Sequence, residues 1–156
     1  MKQSNISVAI ATVGGLGRVR WAPGTWGSAV GVLLGVLMVR LTHRSVSMTL
    51  LVASFACGTF ICAHAEHALK RHDPPSVILD EMWGMWAVCE FLRWMTFSWR
   101  WLLIGFVLFR VFDIAKPAPL RRLERWPGGW GIMADDAGAA AYTIVILQFA
   151  HWYFGF

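Results

Sequence analysis

Charge is scarce in this chain, and acidic charge scarcer still. Of 156 residues only 15% are Asp, Glu, Lys or Arg and only nine are acidic, where an ordinary soluble domain carries about 25% charged residues. So little charge argues against a water-facing enzyme. With 57% apolar residues and ten Trp, the bilayer is the expected solvent. Cysteine is sparse too. Cys57, Cys62 and Cys89 are odd in number, lie in apolar segments and lack metal-ligand spacing, which excludes a secreted disulfide framework. No cysteine is followed by a short arginine-terminated loop, because Cys89 reaches Arg93 inside a helical segment; thiol phosphatase chemistry is disfavoured. Alternating strand patterns are missing. No small-residue cleavage site follows a long apolar run near the start, so no removable signal peptide is expected. The length suits a single domain, 1–156.

What is present is helical periodicity. Five main segments are predicted, at 28–41, 46–64, 82–97, 99–112 and 137–156, separated by stretches where Gly, Pro and charge collect. An all-α, compact, integral-membrane bundle with polar loops is the expected fold. The second segment is long enough to span and the first is marginal, since a span takes about 20 residues. Glu90, Arg93, Arg100 and Arg110 suggest that the Trp-rich pair 82–112 is a tilted or partly interfacial hairpin. Trp152, Tyr153 and Phe154 suit a membrane boundary. Gly27, Gly31 and Gly35 recur every fourth residue and read as a helix-packing face.

If each segment reverses direction, the polar stretches 1–27, 65–81 and 113–136 emerge on one side. That side then holds every Lys and Arg except Arg40, Arg44, Arg93 and Arg100, with Arg110 near its edge, so the positive-inside bias places it in the cytoplasm. The net charge of +5 is dispersed, which fits anionic membrane lipid and not nucleic acid.

The few acids are concentrated. Asp80, Glu81, Asp113, Asp135 and Asp136 stand in or beside polar stretches that share this face. Each pair alone could be a helix cap: Asp80-Glu81 is expected to open one helix and Asp135-Asp136 the last, with Asp113 closing the fourth. Together they are harder to explain, because two carboxylates about 4 Å apart repel by roughly 4 kcal/mol at an effective dielectric of 20. Such a set calls for protons or cations, and oxygen-only donors favour magnesium over zinc. His64, His67 and His72 lack the zinc-helix spacing and read as polar helix-end residues, with Glu66 and Asp73 as weaker outer candidates.

Phosphate is the expected counterpart. The stretch GGLGRVRWAPGTWGS brings Gly24, Thr25 and Ser28 to a helix start, where backbone N–H groups favour an anion. Lys116, three residues after Asp113, and Arg110 could neutralise phosphate charge. The segment GGWGIMADD reads as a glycine-rich turn ahead of the last carboxylate pair.

The strings GLGRVRWAPGTWGS, SVILDEMWGMW, FRVFDIAKPAPLRRLE and GGWGIMADDAGA resemble the successive motifs of the phosphatidylglycerophosphatase A family, in order, from about Gly14 to Ala141. The resemblance implies hydrolysis of phosphatidylglycerophosphate to phosphatidylglycerol with magnesium, in phospholipid biosynthesis, at the cytoplasmic face of a bacterial inner membrane. It implies Asp80, Glu81, Asp113, Asp135 and Asp136 as metal and catalytic carboxylates, and Lys116 beside the phosphate. One departure is Ala118-Pro119, where a bulky aromatic is expected before the proline. The nucleophile stays open between a water and an aspartate, and nothing in the pattern sets an oligomeric state. A phospholipid-head-group transferase is disfavoured by the missing Asp-Gly string with its following Ala-Arg. A divalent-cation transporter is disfavoured because the acids gather at one end and do not line a path across the membrane.

Overall fold

The computed structural model describes residues 2–95 and 98–154, and every regular element among them is helical. The elements are α1 (Lys2–Ala11), a 3-10 turn (Leu16–Arg18), α2 (Pro23–Leu41), α3 (Arg44–Leu69), α4 (Leu79–Leu92), α5 (Trp99–Ala115), α6 (Leu120–Leu123) and α7 (Gly129–Phe154). The five expected segments correspond to α2, α3, α4, α5 and α7. Positions 96, 97, 155 and 156 of the expected segments lie outside the described residues. Helices α2, α3 and α7 are long and apolar enough to cross a membrane.

α4 is the axis of the bundle. Its Met85, Val88, Cys89 and Leu92 are fully buried, and α2, α3, α5 and α7 pack around it. At 14 residues it is about 21 Å long, too short to span alone. It is therefore not the interfacial arm expected from its charge: Glu90 is 1% exposed and is satisfied internally. Ser47 Oγ donates to Glu90 Oε2 at 2.6 Å, Arg93 lies 3.4 Å from Oε1, and Arg93 also donates to the Thr42 carbonyl at 2.6 Å. A charge that reads as surface-seeking instead ties α4 to the α2–α3 turn, at the end of α4 opposite Asp80.

Close approach of α2 to α4 depends on absent side chains. A Cβ at Gly31 would stand 2.4 Å from the Met82 carbonyl oxygen, and one at Gly35 would stand 2.5 Å from Cys89 Cβ. The glycine stripe is therefore a packing face. Helix association within lipid relies on such contact, because water expulsion contributes little there.

Two elements are new relative to the sequence pattern. α1 lays Val8 and Ala11 against Cys62 and Ala65 of α3 and ends in left-handed residues Val13, Gly14 and Gly15. Its last carbonyl, on Ala11, accepts the Ile78 N–H at 3.0 Å, which joins the N-terminal turn to the entrance of α4. α6 is a single turn after Pro119.

α7 corrects an expectation. Of the glycines of GGWGIMADD only Gly128 lies in the turn before it; Gly129 and Gly131 already belong to its first turn. Gly129 lies so near α3 that a Cβ would meet the Thr59 carbonyl oxygen at 1.8 Å, so its role is close helix approach; the reversal falls at Gly128, with φ +62°. Asp135 and Asp136 consequently sit in the second turn of a helix already under way. They cannot be its N-cap.

Candidate active site

The chain direction of the helices brings the acids to one end. α4 starts there with Asp80 and Glu81 in its first turn, α5 arrives with Asp113 in its last turn, and α7 leaves with Asp135 and Asp136. A carboxylate in the last turn of a helix opposes the helix dipole, so Asp113 does not stabilise α5 by its position. Oxygens of Asp80, Glu81 and Asp136 lie within 4.8 Å of one another. Asp80 is 8% and Asp136 2% exposed. Asp80 Oδ1, Glu81 Oε2 and Asp136 Oδ2 are all buried with no hydrogen-bond partner among the described residues.

Asp80, Glu81 and Asp136 together could hold a metal ion, and each leaves one buried carboxylate oxygen unpartnered among the described residues. Burial, reinforced by Glu81 and Asp136, holds the Asp80 carboxyl well above the usual carboxylate range. Burial, with a further contribution from Asp113, lifts Glu81 to about 7 even though Asp80 and Arg110 pull it down. Without a cation the cluster must retain protons near neutrality. A hard divalent ion fits the donors, which are carboxylate oxygens alone.

Ion pairs surround this trio. Arg110 donates to Asp113, lies 3.9 Å from Glu81 Oε1, and has its Nη1 3.4 Å from Ser28 Oγ. Asp113 is near enough to interact with Asp136. Lys116 Nζ lies 2.7 Å from Asp135 Oδ2 and 3.1 Å from Glu124 Oε1. Burial lowers the Lys116 pKa, but these two carboxylates more than offset it and the net direction is upward. Asp135 Oδ1 accepts the backbone N–H of Asp136 at 3.0 Å. Of the five expected carboxylates, then, three leave oxygens open to a cation, while Asp113 and Asp135 are engaged by Arg110 and Lys116.

The expected phosphate side is at the same mouth. Gly24 admits the Glu81–Arg110 pair: a Cβ there would stand 2.3 Å from Glu81 Oε1 and 2.9 Å from both terminal nitrogens of Arg110. Ser28 Oγ donates to the Gly24 carbonyl at 2.9 Å, and Thr25 stands between them in the first turn of α2. His64 binds the Phe60 carbonyl of its own helix, and His72 pairs with Glu66 at the outer edge.

One neighbour escaped the sequence pattern. Glu124, the lone acid in the basic run RRLERW, reads as solvated until Lys116 is seen against it. Asp73, already an outer candidate, interacts electrostatically with Lys116, and burial raises its carboxyl; its backbone is left-handed, with φ 44°.

Comparison with known proteins is consistent across most of the chain. The family model for phosphatidylglycerophosphatase A matches residues 9–151. A phosphatidylglycerophosphatase A of Haemophilus influenzae is 37% identical over 85% of this chain and 81% of its own length. One of Escherichia coli is 34% identical over 99% of this chain and 90% of its own. A Bacteroides thetaiotaomicron protein named, provisionally, phosphatidylinositol-3-phosphatase is 32% identical over 99% of both chains. No solved structure matches. The helical bundle, the motifs and these relatives together establish that the chain belongs to the phosphatidylglycerophosphatase A family.

Proposed function

We propose that the protein hydrolyses the terminal phosphate monoester of phosphatidylglycerophosphate, releasing inorganic phosphate and phosphatidylglycerol, with magnesium held by Asp80, Glu81 and Asp136. The observation that carries this reading is a carboxylate trio with oxygens within 4.8 Å of one another, each member leaving one buried oxygen unpartnered among the described residues, in a chain of this family. The names of the Haemophilus and Escherichia relatives support the substrate. Basic loops at the site end support a cytoplasmic location in the inner membrane.

A divalent ion in this position supplies Lewis-acid stabilisation of charge on phosphate oxygens. The chain's own groups prepare that place. Arg110, oriented by Asp113 and steadied by the Ser28 hydroxyl oxygen that accepts from it, presents donors at the mouth, where a phosphate oxygen gaining charge is stabilised by fixed dipoles. Lys116 fixes Asp135, which in turn fixes the backbone N–H of Asp136, so one ligand's position is set through a chain of two bonds. Glu124 holds Lys116 from the other side.

The test is phosphate release by the purified full-length protein from phosphatidylglycerophosphate in mixed micelles, with magnesium and with chelator. Release that needs magnesium is expected; equal release in chelator, or none with any divalent ion, would sink the assignment. Because of the Bacteroides relative, phosphatidylinositol 3-phosphate belongs in the same assay. A higher kcat/KM for that lipid would move the substrate assignment to it while leaving the chemistry intact.

A further inference from the structure

A phosphatase whose substrate is a membrane lipid must hold a head group at the polar end while the acyl chains stay in the bilayer. α2 and α5 touch only sparingly, and between them runs an apolar groove lined by Ala29, Val32, Trp99, Leu102, Leu103 and Phe106. The groove begins directly beneath the candidate phosphate contacts. Phe106 is four residues before Arg110 and Val32 four residues after Ser28, so on each helix the groove residue lies one turn below the polar one, on the same face. Ser28 and Arg110 meet across the top at 3.4 Å.

Its length also matches. From Phe106 to Trp99 the α5 lining of the groove rises about 10 Å, and Arg110 stands a further turn above it, so head-group contact and groove together extend about 16 Å, close to the ~15 Å of hydrocarbon in one leaflet. Its volume, about 260 Å³, suits a stretch of one acyl chain and is too small for a whole phospholipid.

We infer that the α2–α5 groove is the acyl-chain subsite, seating one chain of the substrate while its phosphate lies beside Arg110 and the carboxylate trio. The inference rests on the reading of this chain as a phospholipid phosphatase. A larger groove of about 490 Å³, lined by Ile6, Ile10, Val13, Leu79 and Met82, is the rival. Leu79 and Met82, however, share a stripe that the 3.6-residue period turns away from Asp80 and Glu81, so a chain seated there lies across α4 from the site.

Ala29 is exposed within the α2–α5 groove, so Ala29→Phe fills it from the lipid side. Leu103→Trp, at a position 66% exposed, fills it deeper. The full-length protein is assayed with dipalmitoyl and dihexanoyl phosphatidylglycerophosphate, and the ratio of the two kcat/KM values is compared with that of the parent; the ratio is independent of how much protein is folded. Both variants are expected to lower the long-to-short ratio roughly tenfold, mostly through KM for the long chain. Val52→Phe, on the lipid face of α3, should leave the ratio unchanged. An unchanged ratio in both groove variants, or an equal fall in Val52→Phe, overturns the proposal.

A second arm needs no turnover. A phosphatidylglycerol carrying a diazirine near the end of one acyl chain is photolysed on the protein in chelator and the label mapped. Label concentrated on α2 and α5, and reduced by Ala29→Phe, supports the subsite; label spread evenly over α3 and α7, or concentrated on α1, overturns it. Parent protein inactive on both substrates would defeat the substrate reading alone, and the label then decides the groove.

Discussion

Lys116 Nζ stands 2.7 Å from Asp135 Oδ2, on a side chain that is 7% exposed. The cation is thus matched by the protein itself, so its first role is to keep a buried carboxylate ionised and in place. Removing Lys116 strands Asp135. Because the lysine is partly solvated, Lys116→Ala is expected to cost roughly 2–3 kcal/mol, below the 3–5 of a fully buried broken pair. Asp135→Asn in the Lys116→Ala background should recover most of that loss. Urea unfolding of the four proteins of this cycle in detergent gives the answer; additive losses would mean the pair is not coupled.

Asp136→Asn separates function from stability. It removes one of three converging charges, so the metal-free protein should unfold at a higher temperature than the parent, while turnover falls by about a thousandfold. Adding magnesium should raise the parent's midpoint more than the variant's. Thermal scans in chelator and in magnesium check both signs, and a variant less stable than the parent in chelator would contradict the crowding of charge inferred for the trio.

The features legible in advance were those that follow from local pattern. Apolar periodicity exposed five helices, and the convergence of acids followed from their alternating direction. The start of α7 was hidden because glycines that admit a neighbouring helix look like glycines that permit a turn; the Thr59 carbonyl against Gly129 is a long-range fact. α1 was hidden because a helix of ten residues needs the α3 surface to be stable. Glu90 read as interfacial because Ser47, 43 positions away, cannot be paired with it by inspection. Lys116 was placed near phosphate by its distance from Asp113 along the chain, and its contact with Asp135 depends on how α7 packs.

Metal binding should weaken with acid. The Glu81 carboxyl is raised from 4.5 to about 7 by burial, and a ligand must lose its proton to bind. Magnesium affinity is therefore expected to fall as pH drops below about 7, with protons released on binding. The metal-free protein has the opposite slope. Between the two values the folded state holds a proton that the unfolded chain lacks, so this stability is fully present below 4.5 and lost as pH rises through about 7. Midpoints in chelator should fall from about pH 5 to about pH 8, and midpoints in saturating magnesium should not.

Two glycines on one helix should fail differently. At Gly31 an added Cβ meets a backbone carbonyl at 2.4 Å, whereas at Gly24 it meets the tip of Glu81 at 2.3 Å. Backbone cannot yield without separating α2 from α4, and a carboxylate tip can rotate. Gly31→Ala is expected to cost about 1–3 kcal/mol of stability with the surviving folded fraction still active. Gly24→Ala should fold nearly as well as the parent but lose most of its turnover, because Glu81 and Arg110 are displaced. Unfolding midpoints and activity per folded molecule distinguish the two.

Glu90 provides the control for buried charge without chemistry. It lies nine residues or more beyond Asp80 and Glu81 along α4, about 13–15 Å from the trio, and its oxygens are already occupied by Ser47 and Arg93. Glu90→Gln keeps the shape and one acceptor, so phosphate release should stay near the parent's. Glu90→Ala leaves Arg93 partly buried without its carboxylate and is expected to destabilise the fold by roughly 2–4 kcal/mol. If Glu90→Gln instead abolished turnover in a protein that still unfolds at the parent's midpoint, the chemistry would have to reach along α4 to the far end of the bundle, and the assignment of the site to the Asp80 end would be wrong.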